Sequence, residues 1–278
     1  MRSLRYTLTE KNSEPSCLLY MESCNYVVTG HDDGSVKFWN PDSMKCRVER
    51  GHTNTVTALV AATVNRRPAV VSASYDGTIS AYVVPATRSS LSWLNMTLSP
   101  PDSSLPEPLL PNLPACPPEI LCLTCWEGTL VSGGNAPCLI SWDVDAQQST
   151  SHPSPPTTCM AHDGALLFGG GEDGVVTMYN QDFSTSGTIK AHQGYIRCML
   201  FNLYLFTGAA DGVKVWDYPT QTMLRAVKHH DEPPRCLGVR GNVLHVGTEE
   251  GGVVKFDIDV GEDVGVDANV LEGEEGKE

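Results

Sequence analysis

An apolar–turn–apolar pattern recurs along this chain of 278 residues. Its clearest copy is Leu205–Asp217, LFTGAADGVKVWD, in which a short apolar run is followed by small residues and an Asp-Gly pair. A second run then alternates apolar and polar residues and ends in Trp-Asp. Two such runs joined by Asp-Gly are typical of a β-hairpin. The pattern therefore predicts a hairpin over this stretch.

Five further stretches repeat this pattern. In chain order the six copies are VVTGHDDGSVKFWN (Val27–Asn40), VVSASYDGTISAYV (Val70–Val83), LVSGGNAPCLISWD (Leu130–Asp143), LLFGGGEDGVVTMYN (Leu166–Asn180), the copy above, and LHVGTEEGGVVKFD (Leu244–Asp257). The turn acids or their equivalents, spaced by 43, 60, 37, 38 and 39 residues, are Asp33, Asp76, Ala136, Asp173, Asp211 and Glu250. A period near 40 residues is typical of four-stranded propeller blades. The sequence therefore predicts an all-β propeller with six visible blades.

The Gly-His, Asp-Gly and Trp-Asp positions of these copies resemble those of WD40 repeats, and the resemblance covers nearly the whole chain. In that family a His before the first strand, a Ser or Thr on the second, the turn Asp and a Trp on the third form a buried hydrogen-bonded set. The resemblance implies one complete set, made of His192, Thr207, Asp211 and Trp216. It implies a second set of His52, Ser72 and Asp76, with Tyr82 at the Trp position.

The remaining copies match this set only in part. The first has Thr29, Asp33 and Trp39, with Lys11 at the His position. The third keeps Ser132 and Trp142, the fourth keeps Asp173, and the last has His230 and Glu250 with Val246 and Phe256 at the other two positions. Such loss is ordinary in the family, so the prediction of a WD40-like propeller is unchanged.

The repeats place one propeller domain over residues 1–260 and an acidic tail, expected to be disordered, over 261–278. Leu4–Thr9 (LRYTLT) can form a strand that completes the last blade and closes the propeller. A Pro-rich insert over 97–118 accounts for the long interval, since Pro100–Pro118 holds eight prolines. It is either a solvated loop or a polyproline ligand for an SH3-like domain. Gln147–Thr158 is predicted to be a polar loop.

Charge and apolar runs limit the classes of partner. The chain has 33 acidic against 19 basic residues, a net charge of −14, and no basic stripe for nucleic acid. No run approaches the ~20 apolar residues of a membrane-spanning helix. The first residues lack the apolar core of a secretory signal. We therefore expect a cytoplasmic protein, with the nucleus or another reducing intracellular site as alternatives, and no nucleic-acid or membrane partner.

Ten cysteines raise the question of a metal site. Cys116, Cys122, Cys125 and Cys138 include a C-x2-C pair with the spacing of zinc ligands. However, five cysteines share one position on the first strand of a blade, where the second copy has Ala58: Cys17, Cys122, Cys159, Cys198 and Cys236. A small, weakly polar side chain suits a crowded strand. We therefore expect reduced thiols, no metal and no cofactor.

The chemistry of an enzyme is not evident either. The turn acids are spread one to a blade, so they do not form the close carboxylate pair of a glycosidase. His192, Asp211 and Thr207 include the groups of a catalytic triad. The resemblance instead implies a buried structural network whose members satisfy one another. We therefore expect a protein that is not an enzyme.

The candidate partner-binding residues come from the resemblance. In WD40 proteins the face that carries the turn acids commonly holds partner peptides, and the residues here that map near it are Tyr75, Tyr195, Arg197 and Arg235. Tyr and Arg dominate the energetics of interfaces. Arg197 and Arg235 occupy one position in successive repeats, which predicts two adjacent guanidinium groups suited to a carboxylate or phosphate.

These observations favour a non-catalytic protein-interaction scaffold or adaptor, acting with other proteins as a possible subunit of a complex. The alternative is a substrate receptor of a ubiquitin ligase, recruited through a separate adaptor. The compact hairpin CLGVRGNVLHVG resembles those of propellers attached to F-box or RING proteins.

Overall fold

The structure is a computed structural model, and it describes residues 13–42, 45–84, 95–98, 119–227, 232–249 and 251–258. Within these ranges there is no helix, so none that could cross a membrane. The described chain forms 23 strands, which are arranged in six sheets. Five sheets have four strands and the last has three. The prediction of an all-β propeller with six blades is confirmed.

The strands of each blade follow one another in chain order. Blade 1 contains β1 (Pro15–Met21), β2 (Tyr26–His31), β3 (Ser35–Asn40) and β4 (Lys45–Arg50). Blade 2 contains β5 (Val56–Val64), β6 (Arg67–Ser74), β7 (Ile79–Val83) and β8 (Asn95–Leu98). Blade 3 contains β9 (Ile120–Trp126), β10 (Thr129–Gly134), β11 (Cys138–Asp143) and β12 (Gln148–Pro153).

Blade 4 contains β13 (Cys159–His162), β14 (Leu167–Gly170), β15 (Val175–Tyr179) and β16 (Thr185–Lys190). Blade 5 contains β17 (Ile196–Asn202), β18 (Tyr204–Ala209), β19 (Gly212–Asp217) and β20 (Thr222–Val227). Blade 6 contains β21 (Pro234–Arg240), β22 (Val243–Thr248) and β23 (Val253–Asp257). The predicted closing strand Leu4–Thr9 and the tail 261–278 lie outside the described residues.

The chain divides into two compact units, which are considered separately. The first comprises residues 1–120 and 144–148, and it includes blades 1 and 2. Its buried core includes Val28, Phe38, Val70 and Tyr82. The second comprises residues 121–143 and 149–278, and its cores are formed by the strands of blades 3 to 6.

The repeated hairpins of the sequence are the second and third strands of the blades. In blade 1, residues 28–31 of β2 and 35–39 of β3 are all buried, because both faces of a middle strand are covered. The fourth strand β4 alternates between exposed and half-buried residues and carries little apolar signal. This difference explains why the sequence pattern reveals the middle strands most clearly.

Two segments differ from their predicted form. The polar stretch Gln147–Thr158 is not simply a loop, because Gln148–Pro153 is β12, the fourth strand of blade 3. Two contacts of His152 hold this strand in place. Its Nε2 is hydrogen-bonded to Ser141 Oγ at 2.9 Å, and its ring stacks on that of Phe183 with 3.7 Å between the ring centroids. The Pro-rich insert is predicted to begin at residue 97, but residues 97 and 98 belong to strand β8. The rest of the insert, 99–118, lies outside the described residues.

The shared cysteine position lies opposite a glycine of the second strand. Cys17, Cys159, Cys198 and Cys236 pair in register with Gly30, Gly170, Gly208 and Gly247. A methyl group on any of these four glycines would lie only 2.5 to 2.8 Å from the cysteine sulfur. Blade 2 has Ala58 opposite Ala73. A cysteine opposite a glycine and an alanine opposite an alanine therefore fill the same narrow space between the two strands.

These thiols also face the following blade. The Sγ atoms of Cys17 and Cys159 donate to the carbonyl oxygens of Val56 and Ile196, each at 3.6 Å. Cys122 Sγ lies 3.4 Å from the carbonyl oxygen of Thr157. The sequence predicts a crowded site for all five cysteines, but Cys236 is exposed.

The residue just before the cysteine position makes a second contact between blades. We call this residue the bulge position, because strand pairing shifts there in blades 1, 2, 5 and 6. In blades 1, 2 and 4 the residue at this position carries a hydroxyl, which shares its proton between a carbonyl of its own second strand and one of the next blade. The pairs are Ser16 with Gly30 and Val56, Thr57 with Ala73 and Ile120, and Thr158 with Gly170 and Ile196.

We predict that Gly208→Ala lowers the free energy of unfolding by about 1–3 kcal/mol, the usual cost of overpacking. The added methyl group would lie 2.6 Å from Cys198 Sγ and 3.1 Å from Pro234 Cγ. A second change, Cys198→Ala, should restore much of the loss because it reproduces the alanine pair of blade 2. Urea unfolding of the full chain measures both effects.

Gly238→Ala is the matched control, since a methyl group there would meet nothing within 4 Å. If the double variant loses at least the sum of the two single losses, the sulfur–glycine packing is not the cause.

Candidate functional site

Blade 5 contains the hydrogen-bonded set implied by the resemblance. His192 Nε2 lies 2.8 Å from Thr207 Oγ1, and its Nδ1 contacts Asp211 Oδ1. Trp216 Nε1 donates to Thr207 Oγ1 at 3.0 Å. Since Thr207 oxygen accepts from the indole, its own proton can go to His192 Nε2, which leaves Nδ1–H to donate to Asp211. The set therefore suits a neutral imidazole.

Lys214 extends this set at the surface. Its Nζ donates to Asp211 Oδ2 at 2.9 Å and to the carbonyl oxygen of Ala191 at 2.8 Å. Burial lowers the pKa of His192, and the hydrogen bond that its Nδ1 donates to Asp211 opposes this only in part. Desolvation alone would raise the pKa of Asp211, but hydrogen bonds and charges from Lys214 and His192 lower it. Thr207 is fully buried, so its hydroxyl cannot reach a substrate.

Blade 2 has the same arrangement without the indole. His52 Nε2 lies 2.7 Å from Ser72 Oγ, and Nδ1 lies 3.2 Å from Asp76 Oδ2. Tyr82 replaces the Trp, and its buried hydroxyl has no hydrogen-bond partner among the described residues. A methyl group on Gly51 would lie 2.1 Å from that hydroxyl, so glycine is required beside this tyrosine.

Blade 1 uses a histidine that the sequence reasoning missed. His31 Nε2 lies 2.8 Å from Thr29 Oγ1, which also accepts from Trp39 Nε1 at 2.9 Å. Its Nδ1 lies 3.1 Å from Ser13 Oγ. His31 stands on the second strand, and the expected position, Lys11, lies outside the described residues. The signal was the Gly-His pair inside VVTGHDDG, which resembles the family motif but occurs one strand later.

Blade 3 retains one bond of the set, whereas the turn acid of blade 4 bonds within its own turn. In blade 3, Trp142 Nε1 donates to Ser132 Oγ at 2.8 Å. In blade 4, Asp173 Oδ1 accepts from the backbone nitrogen of Val175 at 3.0 Å. His230 and Glu250 of blade 6 lie outside the described residues, whereas Val246 and Phe256 are buried in its core.

The structure describes three of the four cysteines of the zinc hypothesis. Cys122 and Cys138 are buried, and Cys125 is half-buried. Desolvation raises the pKa of the Cys122 thiol well above its ordinary value, whereas a zinc ligand must be a thiolate. Across the described ranges no three His, Cys, Asp or Glu side chains are placed to hold a metal ion. Cys116 lies outside those ranges.

The bulge position is Leu121 in blade 3 and an arginine in blades 5 and 6, Arg197 and Arg235. Arg197 Nη1 donates to Glu249 Oε2 at 3.0 Å, and Arg235 Nη2 donates to Glu249 Oε1 at 2.6 Å. The two guanidinium groups thus hold one carboxylate between them, one oxygen each. We call Arg197 and Arg235 the arginine fork. Hydrogen bonding from Arg235, assisted by its charge and by Arg197, lowers the pKa of Glu249.

All three side chains of this site remain in contact with solvent. Their exposed fractions are 31% for Arg197, 60% for Arg235 and 41% for Glu249. Exposed ion pairs contribute only about 0–1 kcal/mol to stability, so the contact is not a major support of the fold. Tyr195, two residues before Arg197, is 43% exposed.

Glu249 is the residue of this site that the sequence reasoning missed. It follows β22 in the hairpin turn, immediately before the predicted turn acid Glu250. It was missed because only the turn acids of the repeats were considered among the acidic residues. Tyr75 holds the same place in blade 2, immediately before Asp76, and is 38% exposed. Tyr75 belongs to the first unit and the arginine fork to the second.

Comparison with known proteins agrees with the blade geometry. The sequence model described as "WD domain, G-beta repeat" matches residues 2–40 and 44–82. Among solved structures, the computationally designed Ika8 protein is similar, with 25% identity and a TM-score of 0.63 over 89% of this chain and 72% of the other. No curated protein matches the sequence. The chain therefore carries WD40 repeats, and it has the β-propeller fold of WD40 proteins.

Acid should weaken the fold through two of the buried histidines, His52 and His192. Burial places the pKa values of His52 and His192 below the ordinary 6.5, so the unfolded chain binds protons that the folded chain does not. Stability should therefore rise with pH through that region and fall on acidification from about pH 7.5 to 5.5. Urea unfolding at several pH values measures the slope.

The double variant His52→Gln, His192→Gln should show a shallower slope, although it is less stable at every pH. A slope equal to that of the unaltered chain would mean that these histidines are not the titrating groups.

Proposed function

We propose that this protein is a non-catalytic scaffold or adaptor that binds another protein through the arginine fork. WD40 propellers generally mediate protein–protein interactions, and this chain carries their repeats. The observation that carries the proposal is the change at the bulge position. Ser16, Thr57 and Thr158 use it to join blades and blade 3 has Leu121, whereas blades 5 and 6 present arginines in contact with solvent there.

The residue types at the fork support an interaction surface. Arg offers planar, directed donors for a carboxylate, and exposed Tyr supplies a large contact area with little loss of side-chain freedom. Tyr195 lies beside Arg197 in the chain and is exposed on the same blade. Tyr75 is a candidate contact on the first unit, where it stands in the turn of blade 2.

The proposed scaffold works without metal or cofactor, and its partners are proteins, not nucleic acid or lipid. We place it in the cytoplasm or the nucleus. The nine described cysteines are all free thiols, which supports a reducing compartment.

The test is capture of partners from native cells with the tagged full chain. We expect Arg197→Glu combined with Arg235→Glu to abolish recovery of the main partner while the melting temperature stays within a few degrees. The matched control is Arg66→Glu combined with Arg67→Glu, which makes the same change in net charge at two exposed arginines of a blade 2 hairpin. This control should bind as the unaltered chain does.

Other outcomes would identify other functions. If the partner survives the charge reversal but is lost when Pro100–Pro118 is deleted, docking by the polyproline insert replaces the fork. If ligase subunits are the partners recovered, the protein is a substrate receptor of a ubiquitin ligase.

A further inference from the structure

The arginine fork already holds a carboxylate, that of Glu249. The two oxygens are shared between guanidinium groups that come from different blades, at 3.0 Å from Arg197 and 2.6 Å from Arg235. Carboxylate is therefore the ligand chemistry that this geometry accommodates. This arrangement needs both arginines, because each supplies one of the two donors.

We propose that an acidic side chain of a partner protein enters the arginine fork in place of Glu249, which acts as a built-in competitor. The inference rests on the proposed function, and it adds the chemistry of the partner and a control on its affinity. Arg197 and Arg235 then keep their charges paired in the free protein and exchange one carboxylate for another on binding.

Exchange does not require the turn to unfold. The backbone of the turn is closed by Thr248, whose nitrogen donates to the carbonyl oxygen of Gly252 at 2.9 Å and whose Oγ1 accepts from Gly252 nitrogen at 3.1 Å. Glu249 is exposed within that turn, so rotation of its side chain alone would vacate the fork. Because exposed ion pairs contribute little net free energy, a second carboxylate can compete with it.

A purely structural role accounts for only part of the geometry. Arg197 and Glu249 belong to successive blades, so their ion pair could replace the hydroxyl contact that joins the earlier blades. Arg235 and Glu249 belong to the same blade, and their bond joins nothing across a boundary. The second arginine, 60% exposed, is explained by recognition of a carboxylate.

The test measures binding of a fluorescein-labelled hexaglutamate peptide to the full chain by fluorescence anisotropy, with a hexaglutamine peptide as the uncharged control. Glu249→Gln removes the competitor while keeping the size of the side chain. We expect it to bind hexaglutamate about two- to fivefold more tightly than the unaltered chain, the range that an exposed ion pair can supply. Arg197→Gln combined with Arg235→Gln should lose binding, and hexaglutamine should not bind.

The contrary outcomes are distinct. If Glu249→Gln lowers the melting temperature and leaves hexaglutamate binding unchanged or weaker, Glu249 is a structural brace and the inference is wrong. Binding too weak to detect in both proteins, or binding that survives loss of both arginines, also overturns it. A phosphoserine peptide that binds where hexaglutamate does not would make phosphate the ligand instead.

These results separate the inference from the function on which it rests. If charge reversal of the fork abolishes capture of the native partner but Glu249→Gln has no effect on hexaglutamate, the scaffold function stands and the competitor role fails. If capture from cells does not depend on the fork, the proposed function itself fails.

Discussion

The close approach of successive blades along their first strands is the constraint on which much of this structure depends. Where Cys159 faces Gly170, a methyl group on the glycine would lie 2.8 Å from the sulfur and 3.1 Å from Ile196 of the next blade. The space admits sulfur with glycine or methyl with methyl, as Ala58 and Ala73 show. Interiors packed at this density tolerate few other combinations, so residue choice here follows from geometry.

The same junction determines which polar groups must be satisfied. Carbonyl groups at the start of a first strand meet the thiol and the hydroxyl of the preceding blade, as at Ile196, which accepts from Thr158 and Cys159. A carbonyl left without a donor there would carry the cost of burial. Arg197 and Arg235 replace the hydroxyl in blades 5 and 6, so the hydrogen bond from a hydroxyl to a carbonyl of the next blade is absent at these two described positions. Exposed ion pairs add little stability, which is why we propose contact with another molecule as the reason for the arginines.

Much of the fold could be read from the sequence because middle strands are buried on both faces. The copies from Val27–Asn40 to Leu244–Asp257 therefore show their apolar runs and turns plainly. The fourth strands β4, β12, β16 and β20 are largely exposed or half-buried, and β12, with the sequence QSTSHP, carries no apolar signal at all. Its place depends on side-chain contacts of His152 with Ser141 of the third copy and with Phe183 of blade 4, and the repeat pattern does not specify such contacts.

The candidate site was predictable only in its repeated part. Arg197 and Arg235 share a repeat position, so their equivalence was visible, as was that of the cysteines beside them. Glu249 reaches the fork from a turn between two other strands, and such a contact depends on side-chain direction, which repeat spacing does not specify. His31 was missed for a similar reason, because it fills the place of the family histidine from a different strand.

The central claim is that the arginine fork exchanges its own carboxylate for that of a partner. A crystal structure of the full chain with the partner that it captures tests this most directly. The account predicts that one partner carboxylate bridges Arg197 and Arg235 and that the Glu249 side chain has turned away. A complex in which both arginines still hold Glu249, with the partner bound elsewhere, would contradict it.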